Sequence, residues 1–222
     1  RQAADYLEGA EDFDEALGRL IKKWVNENID IIFNGDGYSD EWVKEAQRRG
    51  LPNITNTVDA FAALSDPEYI RLFTRHGVMT EVEMLAREEV GYENYSKAIN
   101  IEGRTMIDMI RRQIIPAAIK YSTVVADSVN SVKNAGMDPF IQERILEKVL
   151  YNLRNLGDYA RELEAEIDKA VIINDPKLQA IAYRDQVAGR FKKVRTAADN
   201  LEDLVDKEMW PFPTYADLLF NI

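Results

Sequence analysis

Thr80 begins a long stretch in which apolar residues return at steps of three and four. Met106, Ile110, Ile114, Ala117, Tyr121, Val124 and Val132, with Ser128 in register, fall on one helical face. Thr80 and Glu83 have the spacing of a capping box. The spacing predicts one helix from Glu81 to about Asn134, stopped by Ala135-Gly136 and spanning about 80 Å at 1.5 Å per residue. Pro116 lies inside it and should kink or break it, because proline lacks the N–H and crowds the preceding turn. Asp138-Pro139 opens a second helix, with Ile141, Ile145, Val149, Leu153, Leu156, Ala160, Leu163, Ile167 and Val171 on its apolar face. Asp175-Pro176 opens a third. Val187, Phe191, Val194, Ala198, Leu201 and Val205 follow a heptad seam. The linkers are a few residues long, so neighbouring helices should pack antiparallel. Trp210-Pro-Phe-Pro213 cannot continue a helix, and Thr214–Phe220 is expected to add a turn or two.

The residues before Thr80 are patterned in shorter pieces. Asp12 and Glu15 cap a helix over Asp12–Asn28 with Ala16, Leu17, Leu20, Ile21, Trp24 and Val25 on one face. Ile29-Asp-Ile-Ile-Phe33 is short and β-branched and reads as a strand, ended by Asn34-Gly-Asp-Gly37. Ser39 caps a helix over Asp40–Arg49, closed by Gly50. Short helices follow from about Thr57 to Leu64 and from Pro67 to about Arg75, the latter closed by Gly77. A lone strand is not stable by itself. Residues 29–33 are therefore expected to pair with, or pack on, something outside this chain. The expected fold class is all-α, in two parts: a compact, mostly helical region 1–79 with one short strand, 29–33, and an antiparallel bundle of three long helices, 80–222, with an aromatic-proline tail, 210–222.

Composition narrows the function. The chain has 222 residues, 39 acids against 28 bases (net −11), 46% hydrophobic residues, one histidine and no cysteine. That hydrophobic content supports a core and excludes global disorder. Without cysteine there is no disulfide, thiol nucleophile or thiolate metal site. The acidic balance argues against nucleic-acid binding. No apolar run approaches the ~20 residues of a membrane span, and no signal-peptide pattern opens the chain, so a cytoplasmic protein without a membrane partner is expected. With Arg1 in place of Met, the chain is expected to be a piece of a longer or processed protein.

Several groups could carry chemistry, and each has a plainer reading. Asn34–Ser39, between a strand and a helix N-terminus, could cradle a phosphate. It lacks the full dinucleotide pattern and the P-loop lysine, and a tight turn capped by Ser39 explains it. His76, before Gly77, has no second histidine to make a metal pair and reads as a helix-end residue. Glu162, Glu164, Glu166 and Asp168 are scattered around their helix and read as a solvated face, not a catalytic pair. Arg190, Lys192, Lys193 and Arg195, and separately Arg111-Arg112, could bind phosphate or dock an acidic neighbour; ordinary surface charge is the plainer account. Trp210, Phe212, Tyr215 and Phe220 could anchor an interface or fold back over the bundle end. No nucleophile–base pair, metal constellation or complete nucleotide motif emerges. Catalytic, cofactor-binding and metal residues are therefore all expected to be absent.

Ile31-Ile-Phe-Asn-Gly-Asp-Gly-Tyr-Ser-Asp-Glu-Trp-Val-Lys-Glu-Ala-Gln-Arg-Arg-Gly-Leu-Pro-Asn53 closely resembles the region just after the catalytic core of type III glutamine synthetases. So do Arg75-His-Gly-Val-Met-Thr-Glu-Val-Glu-Met84, Glu93-Asn-Tyr-Ser-Lys-Ala-Ile-Asn-Ile-Glu-Gly-Arg-Thr-Met-Ile-Asp-Met109 and Ile114-Ile-Pro-Ala117. The resemblance runs from about residue 1 to the carboxyl end. It implies a parent enzyme of glutamine biosynthesis and nitrogen metabolism that joins glutamate and ammonia using ATP and Mg or Mn. It also implies a homo-oligomer, a dodecamer of two stacked hexameric rings. The family's catalytic and metal-binding motifs lie N-terminal to the matched region, so none transfers, and even Glu102 and Arg104 fall on a bundle helix. Residues 1–79 would be the post-catalytic linker, and the whole chain a C-terminal helical domain, structural and non-catalytic alone, that supports subunit or ring assembly. The alternative is a regulatory module of the same enzyme that binds a ligand or a protein.

Overall fold

A computed structural model describes residues 2–213 and 215–220, which divide into two compact units, residues 1–55 and 56–222. The described residues contain helices and turns and no strand.

The first unit holds α1 (Gln2–Leu7), α2 (Phe13–Glu27) and α3 (Asp40–Arg48). Asp12 caps α2 by accepting from the Glu15 N–H, and Ser39 caps α3 by accepting from the Trp42 N–H. The expected strand 29–33 is corrected. Ile29–Ile31 forms one 3₁₀ turn, and Ile29 and Ile31 stay more than half exposed. No neighbouring strand pairs with this run, so its carbonyls find another partner. Arg49 Nη1 donates to Ile32 O at 2.6 Å and Asp30 O at 3.1 Å. Phe33 then packs on Trp42, with ring centroids 4.6 Å apart and the Arg49 guanidinium 5.8 Å from the Phe33 centroid. β-Propensity is a weak preference, and a run with no partner edge loses it to local hydrogen bonding.

The second unit begins with α4 (Thr57–Ala62) and α5 (Pro67–Arg75). Three long helical rods follow. The first is α6 (Glu81–Met109), a π-helical turn Ile110–Ile114, and α7 (Ile115–Asn134). The second is α8 (Phe140–Val171). The third is α9 (Pro176–Ala182), a π segment Tyr183–Ala188, and α10 (Gly189–Glu202), with α11 (Tyr215–Leu219) beyond. The Thr80–Glu83 capping box forms in both directions. Cross-helix pairs establish the antiparallel order. Arg104, Arg111 and Lys133 of the first rod meet Asp168, Glu164 and Glu143 of α8. Glu166 and Asn152 of α8 meet Arg190 and Asn200 of the third rod.

The core runs along all three rods through Ile107, Ile110, Ile114, Val149, Leu156 and Leu163, and the heptad seam buries Val187, Val194, Leu201 and Val205. The helical rod continues across Pro116 without a break. Ile115 N–H reaches back five residues to Ile110 O, and the α-helix resumes with Pro116 in its first turn, where a missing N–H leaves no bond unmade. This extra residue moves the phase. Beyond it the buried positions are Ala118, Val125 and Val129, each one residue later than the expected Ala117, Val124 and Ser128; Ala117 stays buried beside Ala118, and Val124 is half exposed.

The division between units also differs from the expected 79/80. Val58 and Phe61 of α4 need a core and find it on α6 beside Tyr92, so residues 56–79 pack with the bundle. A capping box marks where a helix starts, not where contacts thin out. Gly50, Gly77 and Gly136, with φ of 71°, 63° and 75°, end their helices in the same way. After each, the next N–H (Leu51, Val78, Met137) returns to a carbonyl five residues back, the double hydrogen-bonded stop that favours glycine.

Candidate functional site

Six of the charged groups singled out in the sequence, Arg104, Arg111, Glu164, Glu166, Asp168 and Arg190, pair across helices. Arg111 makes two parallel hydrogen bonds to Glu164, at 2.7 and 2.5 Å, and holds that carboxyl below its usual range. Arg112 pairs with Asp108 one turn back on its own rod. Arg104 bonds Asn100 and reaches Asp168 at 3.4 Å. Glu166 receives Lys169 and Arg190. The acidic run on α8 is thus largely an interhelical clamp. Among its members, Glu162 is exposed, and Glu102 on α6 is exposed as well. Spacing along one helix could not reveal these pairs, because the partners lie on a different rod.

The Asn34–Ser39 loop is organised from within. Tyr38 N–H donates to Asp36 Oδ1, Ser39 Oγ donates to Asp36 O, and Ser39 accepts at the start of α3. Gly35 has no positive φ; it makes room for the Phe33 ring, which a Cβ there would meet at 2.5 Å. His76 is the exposed C-cap of α5, with Gly77 behind it. The tail divides in two: Trp210 is buried and stacks edge-on with Phe212 at 6.2 Å, while Leu218, Leu219 and Phe220 are exposed. Tyr215 lies outside the residues whose side chains are described.

A network that the sequence did not announce joins the start of α4 to the second π segment. Arg184 bonds Asp59 at 2.7 Å and Asp185 at 2.7 Å, and reaches Asn56 at 3.4 Å. Its guanidinium holds the Asp185 carboxyl below the usual range, and Asn56 ahead of Arg184 does so for Asp59. Nearby, the buried Glu88 accepts the Tyr92 O–H at 2.9 Å. Burial, then that bond, push the Tyr92 hydroxyl far above its ordinary value.

Two clefts lie on the second unit. The first, of about 460 Å³, lies between α8 and α10. Asn152, Asn155 and Asn200 supply amides, Tyr151 and Tyr159 supply aromatic walls, and Lys192 and Lys193 stand at its side. Asn200 donates to the buried Asn152 at 3.1 Å, and Asn152 donates to Lys148 O at 2.9 Å. Of the basic cluster, Arg190 and Arg195 pair with Glu166 and Asp199, whereas Lys192 and Lys193 meet no carboxylate among the described residues. The second cleft, of about 420 Å³, is apolar. Met106, Met109, Ile110 and Ile114 form one wall and Val194 and Ala198 the other, with Trp210 and Phe212 at one end. Among the described residues no three His, Asp or Glu side chains converge to hold a metal, and no helix is long and apolar enough to cross a membrane.

Residues 16–133 match the family described as the glutamine synthetase C-terminal domain. The chain is 30% identical, over 92% of its length, to the type-3 glutamine synthetase of Dictyostelium discoideum, of which it covers 29%. It is 30% identical, over 96% of its length, to a glutamine synthetase of Butyrivibrio fibrisolvens, covering 31% of that protein. A glutamine synthetase of Bacteroides fragilis (strain YCH46) is 28% identical over 94% of the chain. The chain thus spans less than a third of the length of the curated relatives it matches.

Proposed function

The chain belongs to the glutamine synthetase C-terminal domain family, and from that premise we propose that it is the C-terminal helical region of a type III glutamine synthetase. The parent would be a glutamate–ammonia ligase using ATP and a divalent metal. The single observation that carries this reading is the near end-to-end match to glutamine synthetases, one of them named type-3, against a coverage of only 29% of that protein. The described residues bring together no group suited to hold the metal. The nucleotide, the metal and the chemistry would belong to the part of the parent outside this chain.

The role proposed for this region is structural: supporting subunit and ring contacts in a homo-oligomer, in the cytoplasm. Three antiparallel rods, pinned by Arg111–Glu164 and Arg104–Asp168, make a stiff body suited to that task. The test is a full-length parent shortened at about Thr80, compared with the intact protein by light scattering and ligase assay. Loss of the large assembly is the expected result. A shortened enzyme that assembles and turns over normally would remove the structural role.

A regulatory module is the second reading, favoured by the amide-lined cleft beside Lys192 and Lys193. Cations, amides and aromatic walls together suit a small anion with a planar part. Calorimetry of the 222-residue chain against nucleotides and glutamine tests it, and silence across that panel would count against it.

A further inference from the structure

Asn34 is the only asparagine of the sequence that precedes a glycine, and Asp36 is the only aspartate that does. The structure treats the two differently. Asp36 is tied into its turn: its Oδ1 accepts the Tyr38 N–H at 2.9 Å, and its carbonyl accepts the Ser39 hydroxyl at 2.8 Å and the Ser39 N–H at 3.2 Å. Asn34 is exposed and lies outside every helix, and its side-chain amide has no hydrogen-bond partner among the described residues. Gly35 is exposed too, and its N–H donates to no carbonyl among the described residues. With no Cβ on Gly35, nothing shields that nitrogen from the side chain beside it. The asparagines inside long helices are placed the opposite way. Asn94, Asn100, Asn130 and Asn152 precede Tyr95, Ile101, Ser131 and Leu153 within α6, α7 and α8, where the following N–H is committed to the helix.

We propose that Asn34 is a site of spontaneous covalent modification, converted through a succinimide to aspartate and isoaspartate. The deprotonated Gly35 nitrogen attacks Asn34 Cγ. The Cγ–Nδ2 bond breaks and ammonia leaves, closing a five-membered imide. One water then opens the imide at either carbonyl, leaving aspartate or isoaspartate at position 34. Nothing is oxidised or reduced, and no second protein is needed. Asp36 reacts more slowly by the same route, because an ionised carboxylate is a poor electrophile and the Tyr38 N–H holds it. The product alters its surroundings. Gly35 passes so close to the Phe33 ring that a Cβ would lie 2.5 Å from it. Isoaspartate lengthens the backbone there by a methylene, so the Phe33 ring loses its fit between Gly35 and Trp42, whose centroid is 4.6 Å away. The inference is independent of what the parent enzyme does.

The test incubates the whole 222-residue chain at mildly alkaline pH beside a synthetic peptide of residues 31–40. Peptide mass spectrometry reads the gain of about 1 Da, and methyl transfer by an isoaspartate methyltransferase reads the rearranged product. Asn34 should convert first, at a rate within about threefold of the peptide, since an exposed loop opens at little cost in free energy. The rate should rise with pH, because the attacking group is the amide anion. Asp36, Asn94 and Asn152 should stay intact over the same period, and the Trp42 indole ¹H–¹⁵N resonance should move as product accumulates. Asn34→Gln, whose ring would have six members, should suppress both signals with the far-ultraviolet circular dichroism unchanged. Conversion of Asn34 more than about tenfold slower than in the peptide overturns the proposal, since the loop would then hold it in an unreactive geometry. So does methyl transfer that survives Asn34→Gln, or conversion of Asn94 or Asn152 at the same pace. An unmoved Trp42 resonance at full conversion overturns the loosening of the Phe33 contact.

Discussion

Two glycines in the long helices offer opposite responses to the same methyl group. Gly157, within α8, would place a Cβ in open space, with no atom within 4 Å. Gly91, within α6, would place one 2.7 Å from Phe61 Cδ1 and Cε1 and 2.8 Å from Cζ. Alanine in a helix interior is worth about 1 kcal/mol over glycine, through backbone entropy. Gly157→Ala should collect most of that. At Gly91 the same gain is opposed, because carbon contacts are comfortable only from about 3.5 Å and the ring must retreat by nearly an ångström. Overpacking of this kind costs about 1–3 kcal/mol. The ring cannot retreat freely: Phe61 packs edge-on to Tyr92 at 5.8 Å and covers Val58. The net for Gly91→Ala is a loss of about 1 kcal/mol, and the two variants should differ by about 2 kcal/mol. At roughly 2–4 °C per kcal/mol for a chain of this size, thermal melts by circular dichroism resolve the difference, and urea unfolding checks it. Phe61→Leu in the Gly91→Ala background should recover part of the loss, as expected of residues in contact. A Gly91→Ala protein as stable as Gly157→Ala would refute the close packing of α4 on α6.

The shifted phase after the π turn predicts that Val125→Ala destabilises by about 1–3 kcal/mol while Val124→Ala stays within about 0.5 kcal/mol, measured by urea unfolding; the reverse order would mean an unbroken 3.6-residue phase. Glu164 is held low first by its hydrogen bonds to Arg111, so its folded pKa lies below its unfolded one. The stabilisation is then present above the unfolded carboxylate range and lost as pH falls through the folded value. Both groups are over a third exposed, so Arg111→Gln should cost at most about 1 kcal/mol at pH 7, a gap that closes in acid. Glu45 is held at about 2 by Arg48 first and Arg49 second. Side-chain NMR titration should show Arg48→Ala raising it further than Arg49→Ala, and no movement in either variant would break the assigned pairing.

Local signals carried a large part of this fold. The Thr80–Glu83 box, the Asp12 and Ser39 caps and the glycines at 50, 77 and 136 act within a few residues, through the backbone's own unpaired groups, and the structure realises each. The heptad seam of the third rod is legible for the same reason, since a regular helix converts spacing directly into a face. The match to glutamine synthetases rests on residue runs that are likewise local. Sites were far less legible. The Asn152–Asn200 pair and the Arg184–Asp59 pair join residues distant in sequence, and no spacing rule links them.

What tertiary structure decided follows from competition among alternatives that are each locally sound. Ile29–Phe33 has strand composition, but Arg49, folded against it from α3, offers its carbonyls a nearer partner than a missing strand. The helix across Pro116 was legible as a helix, yet its inner face was not. One inserted residue at Ile110–Ile114 turns the following stripe from Val124 to Val125, and packing against α8 rewards that phase. The acids of α8 had the pattern of a solvated face until two neighbouring rods brought arginines to Glu164, Glu166 and Asp168. Caps and stops are enthalpic choices made within one turn. Phase, pairing and the division between units are settled only when separate helices must bury the same apolar surface together.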